Sequence, residues 1–179
     1  MQAWREAFGV SWRVAVNLSI AQLENESCTR LIQQALNASG LPAEALEVEV
    51  TESMMMTDNP MVRGNLDRLR GLGIKIALDD FGTGYSNLGY LADMPIDILK
   101  IDKRFVDTVT QPGKGDAVAR LIIQMADELG FSTLAEGVED AQQAEALVRL
   151  GCDFVQGYQF ARPLPPEEIE ARYLRGGRS

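Results

Sequence analysis

Short β-rich runs alternate with longer amphipathic ones along most of the chain, and this alternation restricts the fold more than any other feature. Residues 12–18 (WRVAVNL) precede a helical pattern at 28–39, 46–52 (LEVEVTE) precede 60–72, and 74–79 (IKIALD) precede a short piece at 87–92. Residues 96–101 (IDILKI) then precede 116–129, 132–136 (STLAE) precede 141–150, and 154–156 precede 166–174. Gly40, Gly73, Gly130 and Gly151 stand just past helical runs, where a left-handed residue closes a helix. Pro166 occupies a tolerated first-turn position. No low-complexity linker divides the sequence, so a single domain over residues 1–179 is expected.

Repeated strand–helix units build a parallel sheet, and strands mixing apolar with charged residues suit a barrel with a polar mouth. A closed eight-stranded α/β barrel has eight such units and typically about 250 residues. This chain has 179 residues and about six units. The expectation is an α/β fold of the (β/α)8 TIM-like barrel type, incomplete. Trp4, Ala7 and Phe8 are spaced like the end of a helix, which places the absent units on the N-terminal side. An open doubly wound sheet, which needs no further units, is the alternative.

Composition removes several functions. The chain carries 17 Lys+Arg against 26 Asp+Glu, a net charge of −9, which argues against a nucleic-acid polymer as partner. No run of about 18 apolar residues offers a membrane span, and residues 1–9 lack a signal-peptide pattern. A cytoplasmic location is expected, with membrane tethering of a longer protein left open. With no His, imidazole-based triads and His-rich zinc sites are excluded, so acid–base work falls to carboxylates, Lys, Tyr or metal-bound water. Cys28 and Cys152 read as buried free thiols of a reducing compartment, with a disulfide as the alternative.

The polar residues fall at the C-terminal ends of the strands. Asn17 ends the first run, Glu49 and Glu52 the second, and Asp79 and Asp80 the third. Lys100 and Asp102 end the fourth, Glu136 the fifth and Gln156 the sixth. In an α/β barrel those ends share one mouth, where active sites are built. A single carboxylate at a strand end is most often a helix N-cap, but a whole set at successive ends points to a site. Carboxylates with an Asn carbonyl make a hard oxygen environment suited to Mg²⁺ or Mn²⁺. A pair of such ions would activate a water against a phosphoryl group, with Lys100 steadying the water or a phosphate oxygen. Gly82 and Gly84 in DFGTGYS form a weak phosphate-cradle pattern without a Walker Lys, and the segment reads as a mobile loop over the mouth.

VNLS at 16–19, EVTES at 49–53, DDFGTGYS at 79–86, KID at 100–102, AEGVE at 135–139 and QGY at 156–158 stand in an order and spacing that resemble the EAL-domain cyclic di-GMP phosphodiesterases. ARPLP at 161–165 is similar to the family's closing segment. The resemblance implies hydrolysis of cyclic di-GMP to linear pGpG with two Mg²⁺ or Mn²⁺ ions, on a barrel that often dimerises. It implies Asn17, Glu49, Asp79 and Asp80 as metal ligands, and Lys100, Glu136 and Asp80 as the catalytic set. Lys100 would contact the attacking water, and Glu136 would help hold a metal or its water. Gln156 and Asp102 would lie near substrate. Glu52 would anchor the loop of Asp80, Phe81, Gly82, Thr83, Gly84, Tyr85 and Ser86, which couples the metal site to a dimer interface. The full protein is expected to carry an upstream sensor or GGDEF-type domain.

One departure bears on activity. The Glu-Ala-Leu signature belongs on an early strand, and no such tripeptide precedes Val16, while the Glu145-Ala146-Leu147 string falls in a late helical run. An N-terminally truncated domain is therefore the expectation, and a catalytically inactive module that binds cyclic di-GMP stands as the alternative function. Another Mg²⁺-dependent barrel enzyme acting on a small acid or phosphate is a third reading.

Overall fold

A computed structural model describes residues 1–55, 59–82, 91–111 and 113–176. Six strands form one sheet: β1 (Val14–Asn17), β2 (Leu46–Thr51), β3 (Lys75–Phe81), β4 (Ile98–Ile101), β5 (Ser132–Ala135) and β6 (Phe154–Val155). They lie side by side in chain order and every pair is parallel. A doubly wound sheet reverses its strand order at a switch point; this one never reverses, which settles the fold as a barrel-type arrangement. Ala15 of β1 and Phe154 of β6 line one cleft of about 610 Å³, so the sheet curls its two edges toward each other as an incomplete barrel.

The curl follows from residues that are different on the two faces. Val48, Val50, Ile76, Leu78, Leu99 and Ile101 alternate onto the outer face and are at most 1% exposed. They pack with helix residues such as Val62, Leu66, Leu69 and Ile122 in one apolar core. The intervening positions, Glu47, Glu49, Asp79 and Lys100, face the concave side, where polar groups gather.

The long helices are α3 (Cys28–Ser39), α5 (Pro60–Gly71), α7 (Lys114–Leu129) and α8 (Ala141–Leu150), with a short α1 (Gln2–Phe8) ahead of β1. Gly40, Gly73, Gly130 and Gly151 all take the left-handed backbone expected of helix stops. Three four-residue helices escape a reading by periodicity, because one turn is too short to show a 3.6-residue repeat. These are α2 (Ile20–Leu23), α4 (Glu52–Met55) and α6 (Lys103–Val106). α2 does carry a local signal, the reciprocal Ser19–Gln22 capping box. The closing helical run divides into α9 (Pro166–Ile169) and a wide π turn over Glu170–Arg175. There Arg175 Nε donates to Glu170 Oε1, five residues back, at 2.8 Å.

Boundaries differ from the sequence reading where a partner strand decides them. Residues 12 and 13 stay outside β1 because a 3-10 turn at Ala43–Ala45 precedes β2 and offers no ladder. Glu52 starts α4 instead of ending β2. The helical piece expected at 87–92 falls mainly outside the described residues. Cys28 and Cys152 are free and buried, as expected. Among the described residues no helix is long and apolar enough to cross a membrane.

One buried amide ties α2 and α3 to α5. Asn65 of α5 is fully buried, and its Nδ2 donates to the carbonyls of Leu23 (2.7 Å) and Asn25 (3.1 Å). Its Oδ1 accepts from Thr29 Oγ1 at 3.0 Å and Arg68 Nη1 at 2.7 Å. Asn65→Ala strands these groups without partners, and we expect a loss of about 2 kcal/mol in urea unfolding.

Candidate active site

Lys100 occupies the centre of the polar face. β4 places it with 3% of its side chain exposed, and its Nζ lies 2.8 Å from Glu49 Oε1, 3.1 Å from Asp79 Oδ1 and 2.9 Å from Glu136 Oε1. The carboxylates come from β2, β3 and the residue after β5, so the two neighbours of β4 and the next strand along all contribute. Glu49 accepts a hydrogen bond from the ammonium, while Glu136 and Asp79 stand at ion-pair distance. Three carboxylates against one ammonium leave two negative charges.

The same geometry sets the protonation states. Burial works to lower the Lys100 pKa, but hydrogen bonds to Glu49 and Glu136 and the charges of Glu136 and Asp79 outweigh it and hold the value well above the usual lysine range. Lys100 is therefore a fixed cation and not a proton acceptor. Glu136 is raised by burial, which exceeds the opposing pull of Lys100. Its carboxylate is accordingly a better proton acceptor than an exposed one.

A bulge shapes the end of β3. Leu78 pairs with Leu99 and Phe81 with Ile101, so β3 spends one residue more than β4 over this stretch. The extra residue turns the chain at Asp79 and Asp80. Asp80 has φ 58°, the left-handed region, and its N–H donates to Asp79 Oδ1 at 3.0 Å. Its exposed carboxyl is raised by partial desolvation, then by the charges of Asp79 and Asp102.

The remaining sequence candidates surround this centre. Asn17 pairs with Glu49 in the β1–β2 ladder and is exposed. Asp102 caps α6, accepting the Arg104 N–H at 2.9 Å, which is the ordinary structural use of a carboxylate at a strand end. Glu52 is buried and its Oε2 accepts the Gly82 N–H at 3.2 Å. Gln156 lines the cleft between β1 and β6, and its backbone joins Ala135 and Val138. Phe81 is buried, whereas Thr83, Gly84, Tyr85 and Ser86 lie outside the described residues. Among the described residues no three acidic or thiol groups form a ready-made metal shell; the carboxylates close on Lys100.

Two features were not singled out in the sequence. Glu47, 8% exposed, pairs with Arg13 at 3.7 Å one layer below Glu49, and its period-two spacing from Glu49 was the available signal. Lys103 and Arg104 also reach into the loops around the centre, and an i+1 pair of cations after KID gave no periodic clue.

The EAL domain family model matches residues 1–163. The chain belongs to the EAL domain family. This EAL domain is 45% identical over 162 residues to the signaling protein YkoW of Bacillus subtilis, covering 90% of the chain and 20% of YkoW. It thus spans about a fifth of that relative's length. Among solved structures, it is similar to the PaMucR phosphodiesterase in its c-di-GMP complex, with TM-score 0.87 and 37% identity over 94% of this chain and 68% of that one. It is also similar to Klebsiella pneumoniae BlrP1 in a manganese and cyclic di-GMP complex. There the TM-score is 0.80 and the identity 30%, over 90% of this chain and 42% of that one.

The Lys100 cluster yields a stability prediction for the EAL domain. Lys100→Met leaves Glu49, Asp79 and Glu136 facing one another, and we expect a loss of about 3 kcal/mol near neutral pH in urea unfolding with EDTA present. The deficit shrinks as pH falls, because protonation relieves the unpaired carboxylates. In the parent chain Lys100 lies above its ordinary value near 10.5. The titration of Lys100 itself therefore takes nothing from stability below that value, and the loss comes as pH rises from it through the higher folded one.

Proposed function

We propose that this chain is a cyclic di-GMP phosphodiesterase domain that opens one phosphodiester bond of the cyclic dinucleotide to give linear pGpG. The observation that carries the reading is the convergence of Glu49, Asp79 and Glu136 on Lys100 at the C-terminal ends of the strands. Its fold neighbour PaMucR, a phosphodiesterase, is seen with c-di-GMP, and chemistry in such folds is built at that face.

The donor set fits Mg²⁺ or Mn²⁺. Every candidate ligand offers oxygen, the centre carries surplus negative charge, and no His or Cys stands among them. Asn17, Glu49, Asp79 and Asp80 would hold two ions, with Glu136 supporting a metal or its water. Bound there, the ions supply Lewis-acid stabilisation of the phosphoryl oxygens and a water made acidic enough to attack near neutral pH.

The chain's own residues supply the rest. Lys100 stays charged and contributes a fixed positive field at the reacting phosphate. It is ion-paired to all three carboxylates and would contact the attacking water from among them. Glu136 and Asp80 are read as the carboxylates that would accept a proton from the attacking water. The water oxygen joins phosphorus, the P–O3′ bond breaks, and the released 3′ oxygen takes up a proton, leaving a 5′-phosphate on pGpG. Gln156 would contact substrate from the end of β6, Asp102 would do so only on leaving its place as the α6 cap, and Glu52 anchors Gly82 at the end of β3. We read the working unit as a homodimer attached to an upstream sensor or GGDEF-type domain.

A second reading has one observation in its favour. With the carboxylates closed on Lys100 and no ready-made metal shell among the described residues, the domain would bind cyclic di-GMP and signal without hydrolysing it.

Chromatography of cyclic di-GMP incubated with the chain and Mn²⁺ separates the two. We expect pGpG to appear, to be abolished by EDTA, and to fall at least about a hundredfold in Asp79→Asn. Binding without product in any divalent metal would establish the second reading. Light scattering is expected to give a dimer, and a monodisperse monomer would overturn that assignment.

A further inference from the structure

Gly82, where β3 gives way to the following segment, is held from three sides. Its N–H donates to Glu52 Oε2 at 3.2 Å, and its carbonyl accepts from Arg104 Nη2 at 2.5 Å. The third side is the Phe105 ring, which lies 3.1 Å from where a Cβ on this residue would stand. With φ +84° the backbone favours glycine, and the close ring adds to that preference.

Arg104 is itself set in place before it reaches Gly82. Its N–H donates to Asp102 Oδ1, its Nε lies 3.5 Å from the same oxygen, and its guanidinium sits over the Phe105 ring at 4.8 Å from the centroid. A planar guanidinium can stack, pair and donate at once, which an ammonium cannot. Two residues before Gly82, Asp80 holds a left-handed backbone, which an aspartate adopts at some cost, beside the local bond of its N–H to Asp79 Oδ1. The clamp on Gly82 is the nearest such constraint outside the strand.

We propose that Arg104 is a positioning residue: by gripping the Gly82 carbonyl it fixes the bulge at the end of β3 and so the direction in which Asp79 and Asp80 present their carboxylates. Its neighbour Lys103 reaches the residues after β5. Lys103 Nζ pairs with Asp107 at 2.5 Å and Glu139 at 3.2 Å, and its stem fills the space beside Gly137. The one-turn helix α6 is thus a strut between Gly82 at the end of β3, gripped by Arg104, and the segment after β5, gripped by Lys103. The kinetic part of the proposal rests on the phosphodiesterase reading, whereas the clamp does not.

The test is amide hydrogen exchange at Gly82 in the 179-residue chain, in Arg104→Gln and in Lys103→Gln, read beside steady-state kinetics. Arg104 is about half exposed, so its replacement leaves the fold intact. We expect Arg104→Gln to speed exchange at Gly82 about tenfold or more. We expect kcat for cyclic di-GMP to fall about tenfold or more with KM within about threefold. Lys103→Gln should leave Gly82 exchange unchanged. Unchanged exchange in Arg104→Gln, an equal rise in Lys103→Gln, or faster exchange with unaltered kcat would each overturn the assignment. If the parent chain yields no pGpG, the phosphodiesterase reading fails, while the exchange comparison still decides whether Arg104 holds the bulge.

Discussion

A buried ammonium ion-paired to three carboxylates governs this structure. Removing one charge from water costs several kcal/mol, and an isolated Lys at this depth would lose its proton. Lys100 keeps it because Glu49, Asp79 and Glu136 arrive from neighbouring strands, and they tolerate one another because Lys100 stands between them. The arrangement requires a parallel sheet in strict chain order, with every strand ending on the same side. The apolar outer face supplies that order, since Val48, Val50, Ile76, Leu78 and Leu99 leave no room for a different register without exposing the core.

The balance of charge around Lys100 also explains what the centre is suited to do. One ammonium neutralises only part of the local negative charge, so the site attracts further cations and holds anionic phosphate only with their help. A fixed cation, two carboxyls displaced toward neutrality and an all-oxygen donor set form a coherent arrangement for phosphodiester chemistry. No imidazole is needed for it.

Much of the fold was legible because long amphipathic runs and β-rich runs carry different periods. The bounds of α3 and α8 follow from periodicity and helix-stop glycines alone. What escaped depended on partners. The β3 bulge is invisible in a row of residues, because only β4 reveals that one residue is extra, and the same bulge decides how Asp79 and Asp80 differ. Single-turn helices escaped for want of a repeat. For the candidate site, strand-end polarity indicated which residues share a mouth, but not that three of them would meet on one nitrogen. Nor did it distinguish Asp102, whose carboxylate is occupied as a helix cap, from residues free to face a ligand. The roles of Lys103 and Arg104 depend on loops distant in sequence, so no local pattern announced them.

The two thiols have a practical consequence. Cys28 and Cys152 are both buried, at 5% and 8% exposure, and burial pushes both pKa values up, so little thiolate exists at neutral pH. Maleimide reagents will therefore pass over the native sulfurs and label a cysteine introduced on the surface. A spin label or fluorophore can be placed on either side of the sheet without first removing a natural cysteine, and distances across the polar face can be followed in the otherwise unaltered protein.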